Sequence, residues 1–153
     1  MNDLKRANGS CNHVSARRAA IGLLSLASLM LGCSDGRPTR VKASGRVMID
    51  GEPLKHGSVL FVPDGGRPAA GAIDSDGRFF LTCFEPGDGI IPGKYQVQVK
   101  GTEPIGEDAQ RWHAPMKYAN PRTSGIEREV NESTDALLIE LTWDGGEPFV
   151  ERF

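Results

Sequence analysis

Residues 92–100 read PGKYQVQVK, a turn signal followed by strict alternation of polar and apolar residues. In an extended chain, Tyr95, Val97 and Val99 would share one face, and the Lys and Gln residues between them would share the other. A period of two with one polar face predicts a half-buried β-strand. The Pro-Gly pair in front of it predicts a turn at which the strand begins.

Six further segments carry similar strand signals. They are residues 41–49, 59–62, 69–74, 78–84, 126–130 and 136–142. The pair Asp76-Gly77 stands between two of them and predicts a tight hairpin, because it readily adopts the positive φ angles such turns need. About seven short strands and no convincing amphipathic helix predict an all-β fold, a single β-sandwich.

One connection, residues 101–124, breaks the pattern of short turns. It contains three prolines and no alternation, and loops longer than about 12–15 residues are usually functional or disordered. Its side chains Trp112, His113 and Tyr118 are therefore candidates for a partner-binding surface, since aromatic rings provide large contact areas. The alternative is that these rings only pin the loop to the sandwich. The polar tail, residues 144–153, is expected to fray.

The N-terminal segment predicts export. Residues 19–31 form an uncharged apolar run behind the pair Arg17-Arg18. The run suits the hydrophobic region of a signal peptide and is shorter than the roughly 20 residues that span a bilayer. The arginine pair leaves a twin-arginine signal open as an alternative, although alanines follow it.

The apolar run ends in Met30-Leu-Gly-Cys-Ser34, which resembles the lipobox of bacterial lipoproteins. The resemblance implies cleavage before Cys33 and a thioether from its thiol to diacylglycerol. We therefore expect a lipoprotein signal peptide at 1–32, a tether at 33–40, the β-sandwich at 41–143 and a tail at 144–153. The implied location is the cell envelope, lipid-anchored, at the outer membrane or cell surface. A secreted protein without lipid is the alternative.

Charge and cysteine content narrow the function further. The formal net charge of −2 provides no basic surface for nucleic acid, so we expect no nucleic-acid partner.

The three cysteines have different expected fates. If Cys11 leaves with the signal peptide and Cys33 carries lipid, Cys83 has no disulfide partner. Cys83 lies in an apolar stretch of the sequence, which predicts that it is buried as a small hydrophobic residue. A Cys33–Cys83 disulfide is the alternative if Cys33 is unmodified.

Three segments carry a family resemblance: residues 41–54, 74–79 and 92–99. They resemble the carboxypeptidase regulatory-like domain, a transthyretin-like, seven-stranded Greek-key sandwich. With residues 111–118 and 123–126, the arrangement is similar to that of small planctomycete lipoproteins. The resemblance implies a fold and a location, and it implies no catalytic residue.

Strong catalytic motifs are absent from the sequence: there is no phosphate-binding Gly-rich loop, paired-Cys zinc spacing or His-Glu-x-x-His. The mature chain would contain only His56 and His113, far apart in sequence. With Tyr95 and Tyr118 they match the ligand types of intradiol dioxygenases, but that family's two His are closely spaced. Asp74-x-Asp76 resembles the start of a calcium loop without its later ligands.

These observations predict a non-catalytic binding or structural module of the cell envelope. We expect no enzymatic activity, cofactor or metal. The expected partners are the lipid bilayer, through Cys33, and an envelope protein or glycan. A small envelope hydrolase or metal-dependent enzyme on the same type of sandwich is the alternative.

Overall fold

The strand signals can be compared with a computed structural model, which describes residues 36–153. Within this range the chain forms eleven strands and two short helices. The strands are β1 (Ala43–Ile49), β2 (Glu52–Pro53), β3 (Ser58–Pro63), β4 (Ala69–Ala72), β5 (Arg78–Phe80), β6 (Gly93–Lys100), β7 (Thr102–Pro104), β8 (Ala109–Trp112), β9 (Glu127–Val130), β10 (Thr134–Leu141) and β11 (Phe149–Arg152). A 3-10 helix (Met116–Ala119) and α1 (Pro121–Ser124) follow β8. The predicted signal peptide, residues 1–32, and Cys33 lie outside the described residues.

Each of the seven predicted segments contains a strand, so the all-β prediction is confirmed. The predicted turn between 69–74 and 78–84 is also present, and Asp74 shapes it. The two segments meet at one antiparallel bridge, between Ala70 and Thr82, but their strands belong to different sheets, since β4 pairs with β3 and β5 with β1. The Asp74 carboxylate accepts hydrogen bonds from the backbone N–H groups of Asp76, at 2.9 Å, and Arg78, at 2.8 Å. This local bonding is typical of an Asx turn, and it uses the carboxylate that the calcium-loop interpretation would have required.

The first sheet is centred on β1. This strand runs parallel to β10, with Val47 opposite Ile139, and antiparallel to β2 and β5. The second sheet has the order β4-β3-β6-β9 and is antiparallel throughout. In it β6 shows the predicted alternation, because Tyr95, Val97 and Val99 are buried.

One hydrophobic core takes side chains from both of these sheets, as a β-sandwich requires. Phe61 on β3 lies 6.1 Å from the Phe79 ring on β5 and 6.0 Å from Tyr95 on β6, measured between ring centroids. Such ring pairs stabilise a core beyond their buried area alone. The core is therefore built around aromatic contacts between the two sheets.

Two residues expected in the core, Leu60 and Leu138, lie on the wrong face. Leu60 is only partly buried, between the buried Val59 and Phe61 of β3. We expect both Leu138 and Leu141 to point inward, but Leu138 is 47% exposed while Ile139 and Leu141 are buried. Residues three apart in a strand lie on opposite faces, so the two leucines cannot both be internal. Pairing with β1 selects the face that holds Ile139.

The predicted loop and tail form a third sheet, of order β11-β8-β7. Phe149 lies opposite Trp112, and Thr102 lies on the other side of the same tryptophan. The structure therefore differs from the expected irregular loop at 101–124, which contains β7 and β8, and from the expected irregular tail at 144–153, which contains β11. These strands have only three or four residues each, and such short segments carry too little alternation to be recognised.

Cys83 is free and buried, which confirms its prediction as a small hydrophobic residue. Burial and the nearby Asp88 carboxylate both raise the pKa of its thiol. A thiol with a raised pKa is a poor nucleophile at neutral pH. Among the described residues, no helix is both long and apolar enough to cross a membrane.

Asp88 anchors the loop between β5 and β6. Partial burial raises the pKa of Asp88, but hydrogen bonds from the backbone N–H groups of Cys83, Glu85 and Phe84, and the Arg40 guanidinium, lower it by more. The Arg40 Nε atom lies 3.1 Å from the Asp88 carboxylate. The ionised carboxylate is thus stabilised in the folded state.

The lowered pKa of Asp88 predicts a pH-dependent contribution to stability. The contribution is present above the unfolded-state pKa, about 3.9 for Asp, and is lost as the pH falls through the lower folded-state value. We expect Asp88→Asn to destabilise the protein more at pH 6 than at pH 3, as measured by urea unfolding at both values. An equal loss of stability at the two pH values would contradict this assignment.

Candidate functional site

The two histidines that the sequence separates lie side by side in the structure. His56 is in the turn between β2 and β3, and His113 follows β8 directly. Their rings stack with centroids 4.9 Å apart and an interplanar angle of 29°. Glu103, in the middle of β7, places its Oε2 atom 2.9 Å from Nε2 of His113. One possible ligand atom from each of the three residues lies within 4.8 Å of the others.

Two glycines allow these segments to approach each other. Gly57, next to His56, has a φ of +122°, and a Cβ atom there would lie 2.1 Å from the Lys100 carbonyl oxygen. At Gly101, an added Cβ would lie 2.8 Å from Cβ of Ala114. The His113 N–H donates to the Gly101 carbonyl at 2.7 Å. Both histidines are thereby held against the junction of β6 and β7.

The electrostatics of the cluster favour an ionised Glu103. The hydrogen bond with His113 lowers the pKa of Glu103, partial burial opposes this, and the nearby His56, His113 and Arg111 lower it further. Arg111 lies opposite Glu103 in the β7–β8 pairing, with Nη1 3.7 Å from the carboxylate. His56, Glu103 and His113 are all half-buried. The cluster therefore combines two imidazoles and a carboxylate at a solvent-accessible position.

Trp112, a predicted partner-binding residue, faces away from solvent and is 4% exposed. Its ring stacks on Phe149 of β11, with centroids 6.1 Å apart. Its Nε1–H donates to Glu151 at 2.8 Å, and the Gln110 amide donates to the same oxygen at 2.7 Å. Hydrogen bonds from Gln110 and Trp112 lower the pKa of Glu151, and partial burial opposes them. Trp112 thus joins β8 to β11.

Tyr118 is also buried, and it belongs to the main core. Its hydroxyl oxygen accepts a hydrogen bond from the Thr142 N–H at 3.3 Å. The hydroxyl of Tyr95, the other tyrosine considered as an iron ligand, donates to the Ile91 carbonyl. Both hydroxyl groups are therefore engaged by backbone atoms.

The three predicted loop residues consequently have different roles. Trp112 and Tyr118 pin the segment to the rest of the fold, and only His113 joins a solvent-accessible cluster. Partner binding through this loop stays a prediction. Sequence reasoning considered His56 but set it aside because it is distant from His113, and it did not identify Glu103. Two glycines, at 57 and 101, were the available signal that these segments approach each other.

Comparison with known proteins found no matching family model, no similar curated protein and no similar solved structure. The fold and the site define the class of protein. It is a mainly β protein of sandwich type, with a cluster of two histidines and a glutamate beside the third sheet.

Proposed function

We propose that this chain is an exported lipoprotein, anchored through Cys33, whose β domain is a non-catalytic binding or structural module of the cell envelope. The observation that carries the proposal is the apolar run 19–31, which follows a cationic pair and ends in Gly32-Cys33. Two or three acyl chains give stable anchoring where one chain gives only marginal binding. Ser34, after the lipidated cysteine, favours the outer membrane or cell surface.

The proposed domain is a transthyretin-like, seven-stranded Greek-key sandwich with one addition. Two observations support it: the seven predicted strands are divided between two sheets, and those sheets share one core. The third sheet, β11-β8-β7, would be an addition to the sandwich. A rigid β scaffold that presents loops is a common basis for binding a protein or glycan partner.

A second candidate, a metal-dependent envelope hydrolase, is favoured by the cluster of His56, Glu103 and His113. Hydrolytic zinc sites use such ligands and keep one coordination position for water. The binding module remains the primary proposal, because the described residues provide the ligand set of a metal site and nothing that assigns it a substrate.

The anchor can be tested by replacing Cys33 with serine. We expect the wild-type protein to sediment with membranes and Cys33→Ser to move to the soluble fraction, because the variant cannot receive the lipid. Cys83→Ser is the matched control and should remain with membranes. Globomycin, which blocks cleavage of prolipoproteins, should cause a larger precursor to accumulate. Unchanged membrane partition of Cys33→Ser would overturn the lipoprotein proposal.

A further inference from the structure

The geometry points to a metal-binding site: we infer that His56, Glu103 and His113 together bind one divalent transition-metal ion, with Zn²⁺ as the best match. This inference goes beyond the proposed envelope function and does not depend on the lipid anchor. It concerns binding, and it assigns the site no reaction.

The chemistry of the three side chains favours this class of ion. Imidazole nitrogens suit Zn²⁺, Cu²⁺, Ni²⁺ and Fe²⁺, whereas Ca²⁺ and Mg²⁺ prefer sites made of oxygen atoms. Two histidines and one carboxylate are a recurrent three-residue set for zinc. Because the three side chains are half-buried, water could complete the coordination from the open side.

The distances are close to those of a coordinated ion. Ligand atoms bonded to zinc at about 2.0–2.2 Å in a tetrahedron lie roughly 3.3–3.5 Å from one another. The His113 and Glu103 atoms are 2.9 Å apart, so this pair needs only a small expansion. All pairs lie within 4.8 Å, so the widest would need to contract by at most about 1.5 Å. Side-chain rotation at His56 could supply that movement.

Binding requires a simple exchange of partners at His113. Each ligating imidazole nitrogen must carry a lone pair. A His113 imidazolium would lose its Nε2 proton to solvent, and a neutral ring protonated at Nε2 would instead carry that proton at Nδ1. In both cases Nε2 gains the lone pair that binds the metal between the two atoms. Glu103 is already ionised and His56 would bind as the neutral imidazole. The step involves no oxidation or reduction.

The backbone holds the three residues in place before any ion arrives. They belong to three separate segments, and those segments meet through the Gly57 approach to Lys100 and the hydrogen bond from His113 to Gly101. The competing cation is Arg111, whose guanidinium lies 3.7 Å from the Glu103 carboxylate. A metal ion would have to share Glu103 with this guanidinium or displace it.

The test is a metal titration of the purified full-length protein after treatment with a chelator. Zn²⁺ affinity is measured by competition with a chromophoric chelator, and Co²⁺ serves as a spectroscopic probe of the ligands. In the double variant His56→Gln/His113→Gln, we expect the Zn²⁺ affinity of this site to fall roughly 100-fold or more, because loss of an outer-shell partner alone costs about 10–100-fold. Over the concentration range that saturates the wild type, the variant should therefore bind one ion fewer. Glu140→Gln, an exposed carboxylate on β10, is the control and should bind as the wild type does.

Two further variants separate metal binding from a purely structural cluster. Glu103→Gln keeps a hydrogen-bonding amide beside His113 but removes the anionic ligand, so it should fold and bind Zn²⁺ more weakly. Arg111→Met removes the competing charge and should strengthen binding by up to about fivefold. A cluster that serves only packing would show neither change.

Several outcomes would overturn the inference. They are the absence of saturable Zn²⁺ binding, equal binding by the wild type and the double histidine variant, or a Co²⁺ spectrum that is the same in these two proteins. The cysteines are the same in all these variants, so any zinc bound by thiols cancels in the comparison. Failure here is distinct from failure of the proposed function: Cys33→Ser should still bind metal, and the double histidine variant should still sediment with membranes.

Discussion

Replacing Phe79 with alanine is expected to lower the free energy of unfolding by about 3–5 kcal/mol, the usual cost of removing a large buried aromatic ring. The Phe79 side chain is fully buried, and its ring contacts the aromatic core through Phe61 at 6.1 Å. Removal would leave a cavity between the two large sheets. A loss of this size is a large share of the stability of a small domain.

The adjacent Phe80 provides a matched control. It is the same residue type on the same strand, but it points to the opposite face and is 64% exposed. We expect Phe80→Ala to change stability by no more than about 0.5 kcal/mol, as for most surface substitutions. Urea unfolding followed by circular dichroism measures both variants. Similar losses for the two would show that the strand is not oriented as described.

Replacing Gly57 with alanine is expected to destabilise the protein by about 2 kcal/mol or more, and to separate the two histidine rings. The new Cβ atom would lie 2.1 Å from the Lys100 carbonyl oxygen, at a φ of +122° that other residues rarely adopt. Strain of this kind costs of order 1–3 kcal/mol before any clash is counted. Relief of the clash requires the His56 turn to move away from β6.

Gly65→Ala is the control for this prediction. Gly65 lies in the turn between β3 and β4, and an added Cβ there would meet no atom within 4 Å. Its alanine variant should be neutral or slightly stabilised, by up to about 1 kcal/mol. Urea unfolding gives the stabilities, and the NMR shifts of the His56 and His113 ring protons report on the stacking. Unchanged ring shifts in Gly57→Ala would show that the glycine is not needed to build the cluster.

Much of the two large sheets could be predicted because their strands carry a local signal. In β6, Tyr95, Val97 and Val99 alternate with polar residues, and the structure buries the predicted face. Turn chemistry likewise acts over a few residues, as the Asp74 hydrogen bonds show. In β10 the apolar residues Leu137, Leu138 and Ile139 follow one another, so alternation does not show which of them face the core. Pairing with β1 decides that Ile139 does and Leu138 does not.

The third sheet could not be predicted, because its stability comes from pairing between distant segments. Trp112 and Phe149 each lie in a short strand with little alternation, and they become recognisable only as stacked neighbours across β8 and β11. The burial of Trp112 depends on that contact. A tryptophan in a long segment without alternation suggests a binding residue, and only the tertiary structure shows that this ring packs against Phe149.

The sequence by itself determined the positions of seven strands, the turn before β5 and the burial of Cys83, because periodicity, turn geometry and side-chain polarity are local properties. It also predicts an export signal at 1–32 and lipidation of Cys33, on which the proposed anchoring depends. Only the tertiary structure brought His56, Glu103 and His113 together. Their proximity depends on how β6, β7 and β8 pair and on the close backbone approach at Gly57, and such contacts between distant segments have no local pattern in the chain.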